Sequence, residues 1–426
     1  MNAMKRTPGK AGLICLSLLA AASAGAQGVT FSQIQRGNYL SKVGDCMSCH
    51  TAKGGKQFAG GLPIATPFGT IYSTNITPDP QTGIGKWSGD DFFRAMHEGI
   101  RRDGKYLYPV MPYPWFTKMS RSDVDAIKAY LDTVKPVREE NKPNALPWPL
   151  SSRKVMAGWN LLFFNAGTYV PDSSKSELWN RGAYLVGGGA HCAACHAAKN
   201  KLGATSKSQK MQGGDAGESW FAPNLGSDLR DGIGGWTTAE IMEYLKTGSN
   251  HETAAAGPMK EVIMNSTQYF SDADLNAVAA YLKDLPKKGA GADKNKTDIG
   301  HEILAHGNDL YTDNCTGCHM ANGTGLKAVF PPLKGNASVQ AKNPNSLIQI
   351  VLAGEKMAAP DAKPTGLAMP AFGWKLSDRE VADVVSYIRN AWGNQASAVG
   401  SGTVANVRAD IKKYGAKPQE PLASTH

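Results

Sequence analysis

The chain has 426 residues, seven of them cysteine, and a formal net charge of +10. This length predicts about two to four domains, and so few cysteines argue against a fold held together mainly by disulfides. Removal of Lys5, Arg6 and Lys10, which lie close to the N-terminus, would lower the net charge to +7, and net charge alone is a weak argument for a nucleic-acid partner, so we expect none.

The N-terminus has the pattern of a secretory signal peptide. The three basic residues precede an apolar stretch at residues 11–22, and the small residues Ala24 and Ala26 suit cleavage before Gln27. We therefore predict a signal peptide at residues 1–26 and export, to the periplasm in a Gram-negative bacterium. The stretch is too short to span a membrane, and the remaining sequence has no apolar run of about 18 residues that would do so.

Six cysteines fall in three C-x-x-C-H units, a pattern typical of covalent haem attachment. The units are Cys46, Cys49 and His50; Cys192, Cys195 and His196; and Cys315, Cys318 and His319. In such a unit the thiols become thioethers and the histidine becomes one axial ligand of iron. A disulfide framework or paired zinc sites would not explain why histidine follows the second cysteine each time. The sequence thus predicts three haem c groups, and the seventh cysteine, Cys15, lies in the signal peptide.

Similar sequences precede the three units and indicate an internal repeat. They are RGNYLSKVGD before Cys46, RGAYLVGGGAH before Cys192 and HGNDLYTDN before Cys315. Each predicts a short helix that leads into its cysteines.

A second repeated feature is a helix start of the capping-box type, at Ser120, Ser271 and Ser377. The serine accepts a bond from the amide three residues on, where an acidic side chain reaches back to the serine. Apolar residues follow at helical spacing and predict the core. They are Ile127, Tyr130 and Leu131; Val278, Tyr281 and Leu282; and Val384, Tyr387 and Ile388.

Together the repeats predict an all-α fold of three tandem class I cytochrome c-like domains, with long loops wrapped over the haems. The predicted domains are residues 27–140, 175–287 and 298–393, the linkers are 141–174 and 288–297, and a polar C-terminal tail with at most a short helix covers 394–426.

The sixth iron ligand is predicted to be methionine, whose thioether raises the reduction potential of haem. Met111, Met259 and Met369 precede the three capping serines, and each has a proline neighbour. Proline keeps the adjacent chain extended or looped, which suits a side chain directed at a haem face. Met264 in the second repeat and Met357 in the third are alternatives.

Other histidines are expected to be mostly surface or packing residues. Those of interest are His97, His191, His251, His301 and His306. His191 directly precedes Cys192, so it should point away from its own haem, although it could approach another.

With these motifs in place, the sequence resembles the three-haem cytochrome c subunit of membrane-bound alcohol, gluconate and sorbitol dehydrogenase complexes. The resemblance covers nearly the whole mature chain. Its most specific stretches are STNITPDPQTGIGKWSGDDF and LYPVMPY; FAPNLGSDLRDGIGGWTTAEIMEYLKTGSN; and VFPPLKGN and MPAFGWKLSDREVADVVSYIRNAWGN.

The resemblance implies a division of labour between subunits. A large dehydrogenase subunit would oxidise the substrate with pyrroloquinoline quinone or a flavin, and a small subunit is a further expected partner. This chain would pass the electrons to ubiquinone at the membrane. The haem ligands carried over from the family coincide with the cysteines, histidines and methionines named above.

Residues 155–170, VMAGWNLLFFNAGTYV, are the best candidate for contact with a membrane surface or a partner, because they concentrate large apolar side chains. Packing between domains is an equally good interpretation. Attachment through the dehydrogenase subunit would also place the chain at the membrane.

A different function class is a haem enzyme such as a peroxidase, which needs an open iron site with polar groups above it. Three well-placed methionines argue against that interpretation. The sequence has neither a dinucleotide-type glycine loop nor a credible nucleophile triad, so we expect no catalysis by this chain alone. The substrate and the identity of the dehydrogenase stay open.

Overall fold

The computed structural model describes three successive helical lobes. The structure describes residues 1, 29–206, 211–286, 299–327 and 329–415. The predicted signal peptide, the second linker and the end of the tail lie outside these ranges. Within them, no helix is both long and apolar enough to cross a bilayer.

Lobe 1 is bounded by two helices that pack against each other, and a hairpin and three helices lie between them. In chain order it contains α1 (Phe31–Val43), α2 (Cys46–His50), β1 (Pro63–Thr66), β2 (Gly69–Tyr72), α3 (Gly89–Glu98), α4 (Tyr113–Phe116) and α5 (Arg121–Leu131). The following linker contains α6 (Val155–Phe163).

Lobe 2 repeats this order. It contains α7 (Glu177–Tyr184), α8 (Ala193–His196), β3 (Gln212–Gly217), β4 (Trp220–Asn224), α9 (Thr238–Thr247), α10 (Pro258–Asn265) and α11 (Asp272–Lys283). A π-helical turn, Leu185–Gly189, extends α7 through a run of three glycines, whose low helix propensity favours departure from the α-helix.

Lobe 3 also has a first helix that packs against a later one, but a further helix follows the later one. It contains α12 (His301–Asn314), α13 (Thr316–His319), α14 (Asn345–Ala353), β5 (Glu355–Lys356), β6 (Ala368–Met369), α15 (Asp378–Ile388) and α16 (Ser401–Tyr414).

Helices dominate, as the predicted all-α class requires. The three short antiparallel hairpins, β1–β2, β3–β4 and β5–β6, were not predicted. Their strands are two to six residues long, and so short a strand gives little alternation to detect.

A glycine lies where the first helix of each lobe crosses the last. The glycines are Gly37, Gly182 and Gly307, the second residue of each repeated run. A Cβ atom added to them would lie 1.8 Å from Ala126 O, 1.9 Å from Ala277 O and 2.4 Å from Asp383 O, respectively. Only glycine therefore permits these backbones to approach so closely.

The three predicted serine caps are confirmed, but among these three the reciprocal bond that completes a capping box is present only at Ser377, to which Glu380 bonds back. Asp123 and Asp274 do not bond back to their serines. They are engaged elsewhere: Arg36 contacts Asp123 at 2.5 Å, and Arg181 contacts Asp274 at 2.7 Å.

Each of these two aspartates also accepts a bond from a tyrosine of the other lobe. Tyr39 O–H donates to Asp274 at 2.5 Å, and Tyr184 O–H donates to Asp123 at 2.5 Å. The cap amide then donates to the tyrosine oxygen, from Ser120 N–H to Tyr184 at 3.0 Å and in the same way in lobe 2. Lobes 1 and 2 are thus joined by two equivalent, crossed contacts.

The tail differs from the expectation of a polar segment with at most a short helix. Helix α16 spans 14 residues, and its Val404 and Val407 are buried in the core of lobe 3. Arg408 fixes the helix by donating to Asp378 at 2.7 Å and to two backbone carbonyls. Ile411, one turn further on, packs against the same core, but an apolar stripe of three residues in a 14-residue helix is a weak pattern from which to predict this docking.

Replacement of Gly307 by alanine is expected to destabilise the protein by about 1–3 kcal/mol, because the new methyl group would overlap the backbone of α15. The free energy of unfolding, from urea titration followed by circular dichroism, measures the effect. Gly402→Ala is the matched control: Gly402 lies in α16, and an added Cβ meets nothing within 4 Å. Equal stability of the two variants would contradict the close crossing.

Removal of the Tyr184 hydroxyl in Tyr184→Phe is expected to cost about 1.5–3 kcal/mol, because the bond it makes is to a charged carboxylate. Tyr169→Phe is the control, since Tyr169 donates to the neutral amide of Asn180 at 2.6 Å. We expect a smaller loss there, about 0.5–1.5 kcal/mol. Equal losses of unfolding free energy in the two variants, measured by thermal unfolding, would contradict a stronger hydrogen bond between the lobes.

Candidate haem sites

The histidine of each C-x-x-C-H unit is held by a backbone carbonyl. Nδ1 lies 2.6 Å from Thr74 O for His50, 2.8 Å from Pro223 O for His196 and 3.0 Å from Pro331 O for His319. A carbonyl oxygen only accepts, so Nδ1 carries the hydrogen. Nε2 is left with its lone pair as the nitrogen available to a metal.

Burial lowers the pKa of all three imidazoles, and the bond to the carbonyl partly opposes this effect. The rings are therefore neutral at neutral pH, the protonation state in which histidine binds iron. The same arrangement recurs in all three lobes, although the three acceptors were not predicted. The repeated strings STNIT, APNLG and PPLKG contain the acceptors and are the sequence pattern that could have shown them.

The cysteines of the units are separate thiols. The three cysteine pairs lie at the short helices α2, α8 and α13, each of which begins at or just after the first cysteine of its pair. Burial raises the pKa of Cys46 and Cys192 to about 12 and that of Cys315 to about 11. Two thiols followed directly by a histidine are the donor set of covalent haem attachment.

A cavity of about 1310 Å³ opens beside the first unit. Its lining includes Cys46, Cys49, His50 and Met111, so the structure brings the four residues predicted for the first haem to one space. The volume and this set of donors fit a haem bound through two thioethers and two axial ligands.

His191 reaches this same cavity from lobe 2. Its ring packs edge-on against Phe116 with centroids 5.5 Å apart, and Nε2 lies 3.4 Å from Gly44 O. His191 thus lines the cavity beside the first unit, as it would if it approaches the haem predicted there. Cys195 of the second unit also lines the cavity, so the first two units are neighbours.

The other histidines behave as surface or packing residues. His97 stacks on Phe93 with centroids 4.8 Å apart, and His301 is exposed at the start of α12. His251 and His306 contact carboxylates: Glu240 and Glu252 at 2.9 Å, and Asp383 at 2.8 Å, respectively.

Met111 and Met369 lie in non-helical segments, as their prolines predicted. Met111 is in a turn, and Met369 is in β6, where it packs on the same core as Cys315. Met259 differs, because Pro258 begins helix α10 and Met259 follows within its first turn. Proline is compatible with the first helical position, which the prediction of a looped segment neglected.

Met259 and Met264 both pack against the same small cluster of Ala255, Ile263 and Ala358. Both remain candidates for the second haem. The alternative in lobe 3, Met357, lines a separate pocket of about 300 Å³ between lobes 2 and 3.

Three helical lobes, each with a C-x-x-C-H turn and a histidine fixed through Nδ1, define a c-type cytochrome. Residues 34–135, 180–286 and 304–392 match the Cytochrome c family, and the chain belongs to this family. Covalent binding of haem c follows from this membership.

The chain is similar over most of its length to cytochrome subunits of dehydrogenases. It is 42% identical to the gluconate 2-dehydrogenase cytochrome c subunit of Pantoea cypripedii, covering 88% of this chain and 90% of that one. Identity is 40% to the cytochrome c subunit of alcohol dehydrogenase (quinone) of Gluconobacter oxydans (strain 621H), covering 97% and 88%. The fructose dehydrogenase cytochrome subunit of Gluconobacter japonicus is 37% identical, covering 92% and 85%.

These relatives confirm the family recognised in the sequence. They also support an electron-transfer role and a dehydrogenase partner, since each is named as the cytochrome subunit of such an enzyme.

Proposed function

We propose that this chain carries electrons through three c-type haems, from a quinone- or flavin-containing dehydrogenase subunit to ubiquinone in the membrane. The dehydrogenase would oxidise an alcohol, a polyol or a sugar acid. The observation that carries the proposal is the threefold repetition of one ligand arrangement, a neutral histidine fixed through Nδ1. The chain is similar over most of its length to dehydrogenase cytochrome subunits, and this similarity supports the choice of partner.

In this proposal haem c supplies reversible one-electron chemistry at iron. The six cysteines of the C-x-x-C-H units would hold the haems as thioethers, and His50, His196 and His319 with Met111, Met259 and Met369 would bind their iron. The carbonyl bonds hold each imidazole in one tautomer and one orientation. Fixed ligands on both sides limit rearrangement at the metal, which suits electron transfer more than substrate binding.

Neighbouring first and second sites support electron passage between lobes 1 and 2. Asn265 at the end of α10 donates to Ser48 Oγ at 2.9 Å, inside the first C-x-x-C-H unit. Ser266 likewise bonds to Val43 O at 3.3 Å, at the end of α1. The segment after Met259 is thus attached directly to the first haem unit.

We infer that the chain is exported and works at the periplasmic side of the cytoplasmic membrane. Helix α6 supports a membrane or partner contact, since its Leu161 and Leu162 are 86% and 70% exposed. Its opposite face packs within the protein: Asn160 accepts from Tyr113 O–H at 2.6 Å, and Trp159 donates to Leu202 O of lobe 2 at 3.0 Å. The proposed contact with a membrane or partner therefore applies to the face with Leu161 and Leu162, and packing within the protein applies to the face with Trp159 and Asn160.

The haem count is tested by intact-mass measurement of the mature protein. We expect the mass of the chain from Gln27 plus three haem groups, and no thiol that reacts with maleimide after denaturation, since all six remaining cysteines would be thioethers. A Cys192→Ala, Cys195→Ala double variant should retain two haems. Fewer than three in the natural chain would contradict the proposal.

The sixth ligands are tested by opening one iron site. Met259→Ala should create one high-spin haem that binds carbon monoxide, about one third of the total haem, because loss of the thioether leaves the position vacant. Absorption spectra with and without carbon monoxide measure it.

Met264→Ala is the matched control, because Met264 lies in the same helix and the same cluster. It should leave the spectrum unchanged. The reverse result would assign the ligand to Met264, and carbon monoxide binding by the natural chain would favour a haem enzyme such as a peroxidase.

The partner and acceptor are tested on the native complex. Purified from membranes and screened with alcohols, polyols and aldonic acids, it should show substrate-dependent reduction of all its haems and reoxidation by a ubiquinone analogue. Reduction of the isolated chain by such a substrate would contradict the division of labour.

A further inference from the structure

We propose that Glu355 is a positioning residue that fixes the helix carrying Met259 to the strand carrying Met369. One side chain would thereby set the position of the sixth ligands of both the second and the third haem. The inference rests on the proposed function, because the two methionines are ligands only within that proposal.

Both carboxylate oxygens of Glu355 are committed to the start of α10. Gly257 N–H donates to Oε2 at 2.9 Å, and Lys260 Nζ donates to Oε1 at 2.5 Å. Met259 lies between these two donors in the sequence. The carboxylate therefore fixes the chain on both sides of this methionine.

The start of α10 has little freedom to adjust to loss of this contact. Gly257 has φ 52°, and an added Cβ would lie 2.5 Å from the Trp220 indole. The position is therefore restricted by backbone conformation and by an aromatic ring as well as by Glu355.

The backbone of Glu355 is paired with the third methionine. In the β5–β6 hairpin Glu355 lies opposite Met369, and Lys356 lies opposite Ala368. The preceding Gly354 has φ 70°, and an added Cβ would lie 2.7 Å from Met369 O. Displacement of Glu355 would thus be transmitted to the backbone of Met369.

The ion pair is buried where lobes 2 and 3 meet. The Lys260 and Glu355 side chains are 7% and 12% exposed. A buried pair adds little net stability compared with apolar packing, but removal of one partner leaves an uncompensated charge. Its main effect is geometric, because two charged groups without water are strongly restricted in where they can lie.

Removal of the Glu355 side chain is expected to affect the second and third haems together. Axial ligand geometry helps to set the potential of haem iron. In the complex carrying Glu355→Ala we expect the midpoint potentials of the second and third haems to shift, and that of the first to shift less, since α10 contacts the first haem unit at its far end, through Asn265 and Ser48. The sulfur-to-iron charge-transfer band of the oxidised protein should lose up to roughly two thirds of its intensity, since two of three such bonds are affected. Redox titration followed by absorption and electron paramagnetic resonance measures both.

Asp132→Ala is the matched control. Lys128, 9% exposed, donates to both oxygens of Asp132 at 2.6 Å within lobe 1, so this variant also leaves a buried lysine without its carboxylate. All three potentials should stay as in the natural complex. Equal behaviour of the two variants would overturn the positioning role.

Glu355→Gln keeps an oxygen that can accept from Gly257 N–H, and it serves if the alanine variant does not fold. We expect smaller shifts in the same two haems, and no shift would overturn the inference. A natural complex without a sulfur-to-iron band would instead refute methionine ligation, and with it the proposed function. The two failures are therefore distinguishable.

Discussion

The close crossing of the first and last helices of each lobe is the contact on which the rest of the structure depends. At Gly37, Gly182 and Gly307 the first helix lies almost directly on the backbone of the last. The first helix leads into the two cysteines, and the last carries the buried apolar stripe. The crossing therefore fixes where the haem-binding turn begins relative to the core, and a side chain at the glycine would displace both.

The same framework explains why lobes 1 and 2 associate differently from lobe 3. Tyr39 and Tyr184 lie two residues after the crossing glycine and reach the capping aspartate of the opposite lobe. In lobe 3 the equivalent residue is Asp309, a carboxylate that cannot donate a neutral O–H bond to another carboxylate. There Glu380 instead completes its own capping box.

Sequence reasoning succeeded where the determinants are local and repeated. The C-x-x-C-H turns, the serine caps and the apolar stripes recur in all three lobes, so each copy supports the others. It failed where the partner is distant in sequence. The acceptor of His319 is twelve residues away, the partner of Tyr39 is in another lobe, and α16 docks on the core of lobe 3 through the short apolar stripe of Val404, Val407 and Ile411. A looped backbone was expected at Met259, but it lies in the first turn of a helix, because proline can begin a helix as well as interrupt one.

Lobe 2 is central because it contacts its neighbours in two different ways. Towards lobe 1, a major contact joins the first and last helices, through hydroxyls bonded to aspartates that already have an arginine. Towards lobe 3, a buried ion pair joins the segments that carry Met259 and Met369. A disturbance of the first contact acts on the framework of the fold, whereas a disturbance of the second acts on the methionine segments themselves. Because lobe 2 lies between lobes 1 and 3 along the chain, two contacts lie at different lobe boundaries. The contact that stabilises the fold is with lobe 1, and the contact that positions the predicted methionine ligands is with lobe 3.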